Sequence, residues 1–145
     1  MLKINRIDLV FKFVERIFLT AEVYDEISRC KNLIKPLVKA MKEKDIEILE
    51  STDLSELKNK YPELGSGELS VIAASSKGKI AFIEDRKAEK AAYNENVTSF
   101  NIPELLFACK KRGILKSDDM AQIISDLKEK DGYLFSKEVE EELLK

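Results

Sequence analysis

Hydrophobic positions switch between helical and strand periods along the chain. Ile7, Val10, Phe11 and Val14 recur at helical spacing and predict a helix over 5–15. Ile17-Phe18-Leu19-Thr20 is a short unbroken apolar run, the pattern of a buried strand. Helical spacing returns over 21–31 through Val23, Ile27 and Cys30. It continues over 33–44, with Leu37, Val38 and Met41 inward and Pro36 accommodated in the first turn. Ile46-Glu47-Ile48-Leu49 predicts a second strand, and a helical piece from Leu54 to Lys60 ends before Pro62. Gly65-Ser66-Gly67 breaks the chain ahead of a helix with Leu69, Ile72 and Ala73 inward, closed by Lys77-Gly78. Lys79-Ile80-Ala81-Phe82-Ile83 is the clearest strand pattern. Asp85 then caps a helix running to Asn94, and Val97-Thr98-Ser99-Phe100 is a last short strand. Helices follow over 102–112, 117–130 and 136–144, broken at Gly113 and Asp131-Gly132. This alternation predicts an α/β domain with a mainly parallel sheet.

Composition narrows the class. A length of 145 residues suits one domain over 1–145, with 116–145 as a C-terminal helical extension of it. Hydrophobic residues at 44% and charged residues at 36% describe a globular chain. With 25 basic and 27 acidic residues there is no global basic field for nucleic acid, although a local patch remains open. The chain has no histidine, which removes Ser-His-Asp and Cys-His catalysis and every zinc site built on imidazole. Carboxylates, lysines or a bound metal must handle any proton work. No apolar run approaches the roughly 18 residues of a membrane span, and the first residues lack a signal-peptide pattern. Cys30 and Cys109 fit no CxxC pattern, so two buried thiols in a reducing cytoplasm are expected.

In an open parallel sheet, ligands bind outside the carboxyl ends of the strands. Asp85, with Glu84 beside it, directly follows the strand predicted at 79–83. Glu26 lies about one and a half turns into the helix after strand 17–20, between Val23 and Ile27 on one side and solvent on the other. Glu68 opens the helix that leads back into strand 79–83, so it falls on the same edge. Acids at core borders cost desolvation unless something pairs them, and a divalent cation is one partner. Each acid also has a local reading: Asp85 as an N-cap, Glu68 as a helix-dipole partner, Glu26 as a solvated residue among Glu22, Asp25 and Arg29.

These segments resemble a known family. Phe18-Leu19-Thr20-Ala21-Glu22-Val23-Tyr24-Asp25-Glu26-Ile27 resembles the strand–helix segment of PIN domains, and Leu64-Gly65-Ser66-Gly67-Glu68-Leu69-Ser70-Val71-Ile72-Ala73 resembles their Gly-Glu helix start. Ile83-Glu84-Asp85-Arg86-Lys87-Ala88 resembles their acidic strand end, and Lys110-Lys111-Arg112-Gly113-Ile114-Leu115 a helix end of one subgroup of nucleic-acid-binding PIN proteins. The resemblance implies a three-layer α/β/α sandwich with a mainly parallel sheet. It departs at the start: the family opens with a strand ending in Asp-Thr or Asp-Ser, whereas this sequence matches from Leu2-Lys3-Ile4 onward, after that strand. The first strand is therefore expected to be missing, and in the family order its place is between strands 17–20 and 79–83. Asp8 lies on the following helix pattern and does not replace the lost aspartate.

The resemblance also implies a function. The family's acids fall on Glu26, Glu68 and Asp85, which are expected to bind Mg²⁺ or Mn²⁺ and to carry catalysis. The implied activity is metal-dependent hydrolysis of RNA phosphodiesters, as in the toxin of a toxin–antitoxin pair. Arg86, Lys87, Lys110, Lys111 and Arg112 are the candidate phosphate contacts, against the alternative of solvated helix faces. RNA, an antitoxin protein and a second copy of the chain are the implied partners, with no membrane role. The alternative is a catalytically degenerate PIN-like module that binds RNA or a protein.

Overall fold

A computed structural model describes all residues, Met1–Lys145. The chain forms two compact units, Arg16–Asn101 and Met1–Glu15 with Ile102–Lys145. Both units follow from local sequence, and the acids of interest all belong to the first.

In Arg16–Asn101, β1 (Ile17–Thr20) runs into α1 (Ala21–Ser28), followed by α2 (Lys31–Glu43) and β2 (Ile46–Leu49). β1 and β2 pair in parallel with Ile17 opposite Ile46 and Thr20 opposite Leu49. The two helices supply the crossover that a parallel pair requires. α3 (Ser55–Lys60) and α4 (Ser66–Ser75) lead to β3 (Ala81–Phe82), then α5 (Arg86–Asn94) and β4 (Ser99–Phe100). β3 and β4 also pair in parallel, with Ala81 opposite Ser99. The core around this second pair gathers Leu64, Leu69, Ile72, Ala81, Ile83, Ala88, Ala91, Ala92 and Val97. The three small alanines let α5 approach closely. Tyr61 Oη donates to Glu95 Oε1 at 2.9 Å and Lys60 Nζ to the same oxygen at 3.2 Å, which together hold the Glu95 carboxyl below its usual range.

The parallel, mixed α/β architecture agrees with the sequence pattern and with a PIN-like α/β/α fold. The strands form two two-stranded parallel sheets, β1-β2 and β3-β4, and no ladder joins β1 to β3, where the family order has the strand expected to be missing. The amides of Ala81 and Ile83 donate to β4, so alternation turns the backbone groups of Ile80 and Phe82 to the unpaired edge. The strand predicted over 79–83 accordingly shortens to two residues, and Ile80 stays 63% exposed. Phe18 and Phe82 also remain 38% and 37% exposed. Phe82 packs edge-on to Phe100, with centroids 4.8 Å apart, while Lys79 Nζ lies 4.8 Å from the centre of the Phe18 ring. A cation over an aromatic face partly replaces the cover that a neighbouring strand would give. The last strand, predicted over 97–100, likewise narrows to Ser99–Phe100.

α2 also differs from its sequence reading. It begins at Lys31, so Pro36 falls at the sixth helical position, past the first turn. A proline there has no amide for the carbonyl of Asn32. Leu37 and Ala40 are the buried residues, while Val38 turns outward, 41% exposed.

In the other unit, Ile7–Lys12 is a 3-10 helix instead of the α-helix predicted over 5–15. It buries Leu9 and Val10 and ends at Lys12, so Val14 lies beyond it and is exposed. α6 (Ile102–Lys111), α7 (Ser117–Asp131) and α8 (Lys137–Leu144) complete this unit. Its buried side chains include Leu106, Cys109, Met120, Ile123, Leu127 and Leu143. Gly132 ends α7 at φ 65°, a left-handed position that glycine adopts without strain.

Candidate functional site

The strand-to-helix turn after β1 is built by Thr20. Its Oγ1 accepts from the amide of Val23 at 3.3 Å, capping α1. The same hydroxyl lies 2.8 Å from Ser70 Oγ in buried surroundings. Ser70 spends its only proton on the carbonyl of Gly67, at 2.7 Å, so Thr20 is the donor to Ser70. A buried chain of hydrogen bonds therefore runs from the α1 amide through two hydroxyls to the first turn of α4. It fixes the end of β1 and the start of α4 relative to one another.

That linkage places Glu26. Counting along α1 from the Thr20 cap, Glu26 meets α4 at Gly67, a buried residue. A Cβ at position 67 would lie 2.4 Å from Glu26 Oε1, 2.9 Å from its Cδ and 3.0 Å from Oε2. A side chain at 67 would displace the carboxylate from this position. Glu26 itself is exposed and makes no hydrogen bond or ion pair; its neighbour Asp25 takes Arg29 instead. Glu68, the next residue after Gly67, is half-buried and turns its Oε2 to the amide of Gly65 at 3.1 Å. Two acids thus flank the positive end of α4, one bonded to the backbone and one unpaired.

Asp85 lies three residues beyond β3, on the side of the strand's carboxyl end, where ligands bind in open parallel sheets. Its Oδ2 accepts from the amide of Ala88 at 2.9 Å, so it caps α5 while remaining exposed. Arg86 and Lys87 occupy the first turn of that helix and are exposed. In the other unit, Lys110 Nζ donates to the carbonyl of Glu142 at 2.5 Å, and the Arg112 guanidinium lies 4.7 Å from the centre of the Phe13 ring. Those two cations are engaged within their own unit, whereas Lys111 is exposed.

The family pattern implies a divalent metal held by these acids. No group of three or more Asp, Glu, Cys or His side chains stands close enough together to hold an ion. Glu26, Glu68 and Asp85 as placed do not form a complete ligand set, because Glu68 and Asp85 are each drawn to a backbone amide. A cavity of about 160 Å³ lies at the carboxyl ends of β1 and β2, walled by Thr20, Leu49 and Ser70 with Glu22, Glu50, Lys77 and Lys79. Its acids are a different pair from the three expected.

Thr20, Gly67 and Ser70 are the site residues that pattern reading passed over. Thr20 had a usable signal, since a threonine between a strand pattern and a helix pattern is a capping position. Gly67 stands in the Gly-Glu helix start, but its contact with Glu26, like the role of Ser70, depends on a meeting of distant segments.

The parallel pairing and the acids after β3 and at the start of α4 define an α/β protein that carries carboxylates beside its strand and helix ends. The family is more specific. A family model, DUF3368, described as a PIN domain, matches residues 1–145, and the chain belongs to that family. No curated protein and no solved structure matches significantly. PIN domains are in general Mg²⁺- or Mn²⁺-dependent nucleases. No helix is long and apolar enough to cross a membrane.

Proposed function

We propose that this PIN protein is a ribonuclease-like protein that uses Glu26, Glu68 and Asp85 as its acidic residues, with Mg²⁺ or Mn²⁺ as cofactor and RNA as substrate. The observation that carries the reading is the unpaired Glu26 carboxylate held against Gly67, next to Glu68 at the start of α4. The positive end of α4 draws both carboxylates, and the one left without a hydrogen bond is free to accept a cation. Arg86 and Lys87 follow Asp85 and are the proposed phosphate contacts of that edge, with Lys110, Lys111 and Arg112 the candidates on the other unit. Without histidine, the proton transfers of phosphodiester hydrolysis fall to carboxylates and lysines. A cytoplasmic location, an antitoxin protein and a homodimer belong to the same proposal.

The test is cleavage of single-stranded RNA in Mn²⁺. Asp85→Asn keeps the helix cap, because asparagine caps as well as aspartate, and Glu26→Gln removes no hydrogen bond. Each is expected to lower cleavage by about 10²-fold or more with the fold intact. Cleavage unchanged in both variants refutes the acid assignment. A second reading, a non-catalytic PIN module that binds RNA or a protein, is favoured by the capping roles that occupy Glu68 and Asp85. RNA binding by a wild-type chain that cleaves nothing in Mn²⁺ supports it.

A further inference from the structure

Lys31, Lys35, Lys39 and Lys42 of α2 are all exposed, and none makes an ion pair or a side-chain hydrogen bond. This contrasts with Arg16, Arg29, Lys60, Lys128, Lys130 and Lys145, each of which has a carboxylate within reach. At 3.6 residues per turn the four lysines fall within an arc of about 80°, in a stripe about 16 Å long. No acid lies in the stripe; Glu43, the helix's one acid, falls beyond its edge. The helix carries +3 while the whole chain carries −2, so the rest of the molecule sums to −5. Positive charge is concentrated on one face of an otherwise acidic protein. Beside the stripe, Ile34 and Val38 floor a shallow trough of about 320 Å³ between the side chains of Lys35, Lys39 and Lys42.

We propose that this face of α2 docks the phosphate backbone of single-stranded RNA, which rests on the nucleic-acid reading above but adds a surface separate from the three acids. Unpaired lysines spaced by a helical turn offer point charges to successive phosphates. The trough contains no aromatic ring, so bases have no stacking platform and recognition is of backbone, without sequence preference. The same feature disfavours a membrane, because an interfacial helix needs a broad apolar face with large anchors, and here only Ile34 and Val38 border the lysines. An acidic protein segment would find charge but only two small apolar anchors in a shallow trough. The charge complementarity therefore selects a polyanion carrying its charges on a flexible backbone.

The experiment is fluorescence anisotropy with a labelled single-stranded RNA in EDTA, which reads docking without cleavage. Lys35→Gln/Lys39→Gln/Lys42→Gln is compared with Lys12→Gln/Lys58→Gln/Lys90→Gln, which removes the same charge from scattered exposed positions. The α2 triple variant is expected to bind at least about tenfold more weakly at low salt and to flatten the slope of log K against log salt by about 2, at roughly 0.7 per phosphate lost. The scattered variant is expected to stay near wild type. Equal loss in both variants reduces the effect to net charge and overturns the proposal, as does equal binding in all three proteins. Binding of polyglutamate or of phosphatidylserine vesicles that depends on these lysines, with RNA binding that does not, overturns it in favour of a protein or membrane partner. If the α2 variant binds normally while Asp85→Asn still abolishes Mn²⁺-dependent cleavage, the docking face is wrong and the nuclease reading stands. Loss of docking in a chain that never cleaves leaves the converse.

Discussion

Gly67→Ala tests the central geometry without relying on activity. The substitution adds one methyl group at the second position of α4. In the helix interior, alanine is preferred over glycine by about 1 kcal/mol; in the first turn the gain is somewhat smaller. Against it stands the overlap at 2.4–3.0 Å with three atoms of one group, the Glu26 carboxylate. Backbone is not among those nearest atoms, so relief requires only that a flexible, unbonded side chain rotate away. The loss is then the attraction between that carboxylate and the helix N-terminus, about 0.3–1 kcal/mol at an exposed site. The two effects nearly cancel, and the variant is expected to unfold in urea within about 1 kcal/mol of wild type. The sharper result is a double-mutant cycle with Glu26→Ala. Once Glu26 is gone the three closest overlaps go with it, so Gly67→Ala should become clearly stabilising, with a coupling of about 0.5–1 kcal/mol. Additivity within about 0.3 kcal/mol would show that Glu26 does not rest on Gly67, and destabilisation beyond about 2 kcal/mol would show that backbone, not Glu26, fills the space.

Two further outcomes follow from buried and paired groups. Cys109 is fully buried, and burial pushes its thiol above the usual range, whereas Cys30 is partly exposed. Ellman's reagent should therefore titrate one thiol quickly in native protein and the second only on unfolding; two fast thiols would contradict the packing of α6. Glu95 is held ionised by Tyr61 and Lys60, so its folded carboxyl titrates below its unfolded value of about 4.3. Its stabilising contribution is present above that value and is lost as pH falls through the lower folded value. Glu95→Gln should flatten the decline of stability between about pH 5 and 3 in urea titrations, and an unchanged acid limb would refute the pairing.

The reliability of pattern reading varied along the chain for physical reasons. Ile17–Thr20 and Ile46–Leu49 form strands at the positions expected, because each supplies four suitable residues and each finds a partner strand. Lys79–Ile83 has the better strand sequence but forms only two paired residues, since strand length is set by what lies on both edges. Ile7, Val10, Phe11 and Val14 share one face only in a continuous α-helix, whereas the 3-10 helix stops at Lys12 and buries Leu9 with Val10. The acids were legible as positions next to strand ends and helix starts. Their actual bonds were not, because the Gly65 and Ala88 amides compete for them locally.

That competition shows how these carboxylates are held. All three acids are positioned by the starts of helices: Thr20 caps the helix that carries Glu26, Glu68 closes back on Gly65, and Asp85 caps α5. Strands supply the edge, but helix capping sets where each carboxylate points. A cap is worth only about 1 kcal/mol, which is small beside the interaction of a carboxylate with a divalent cation or of a cation with a phosphate. Glu68 and Asp85 can therefore leave their amides for a ligand at modest cost, while Glu26, unbonded and resting on a glycine, needs no release at all. The buried Thr20–Ser70–Gly67 hydrogen bonds are of another kind, since breaking them strands a hydroxyl away from water at about 1–3 kcal/mol. The scaffold that aligns α1 with α4 is thus the firmer part and the carboxylates the looser one. The proposed binding of a charged ligand by these acids would use that division, with rigid backbone placement beneath side chains held only by weak local bonds.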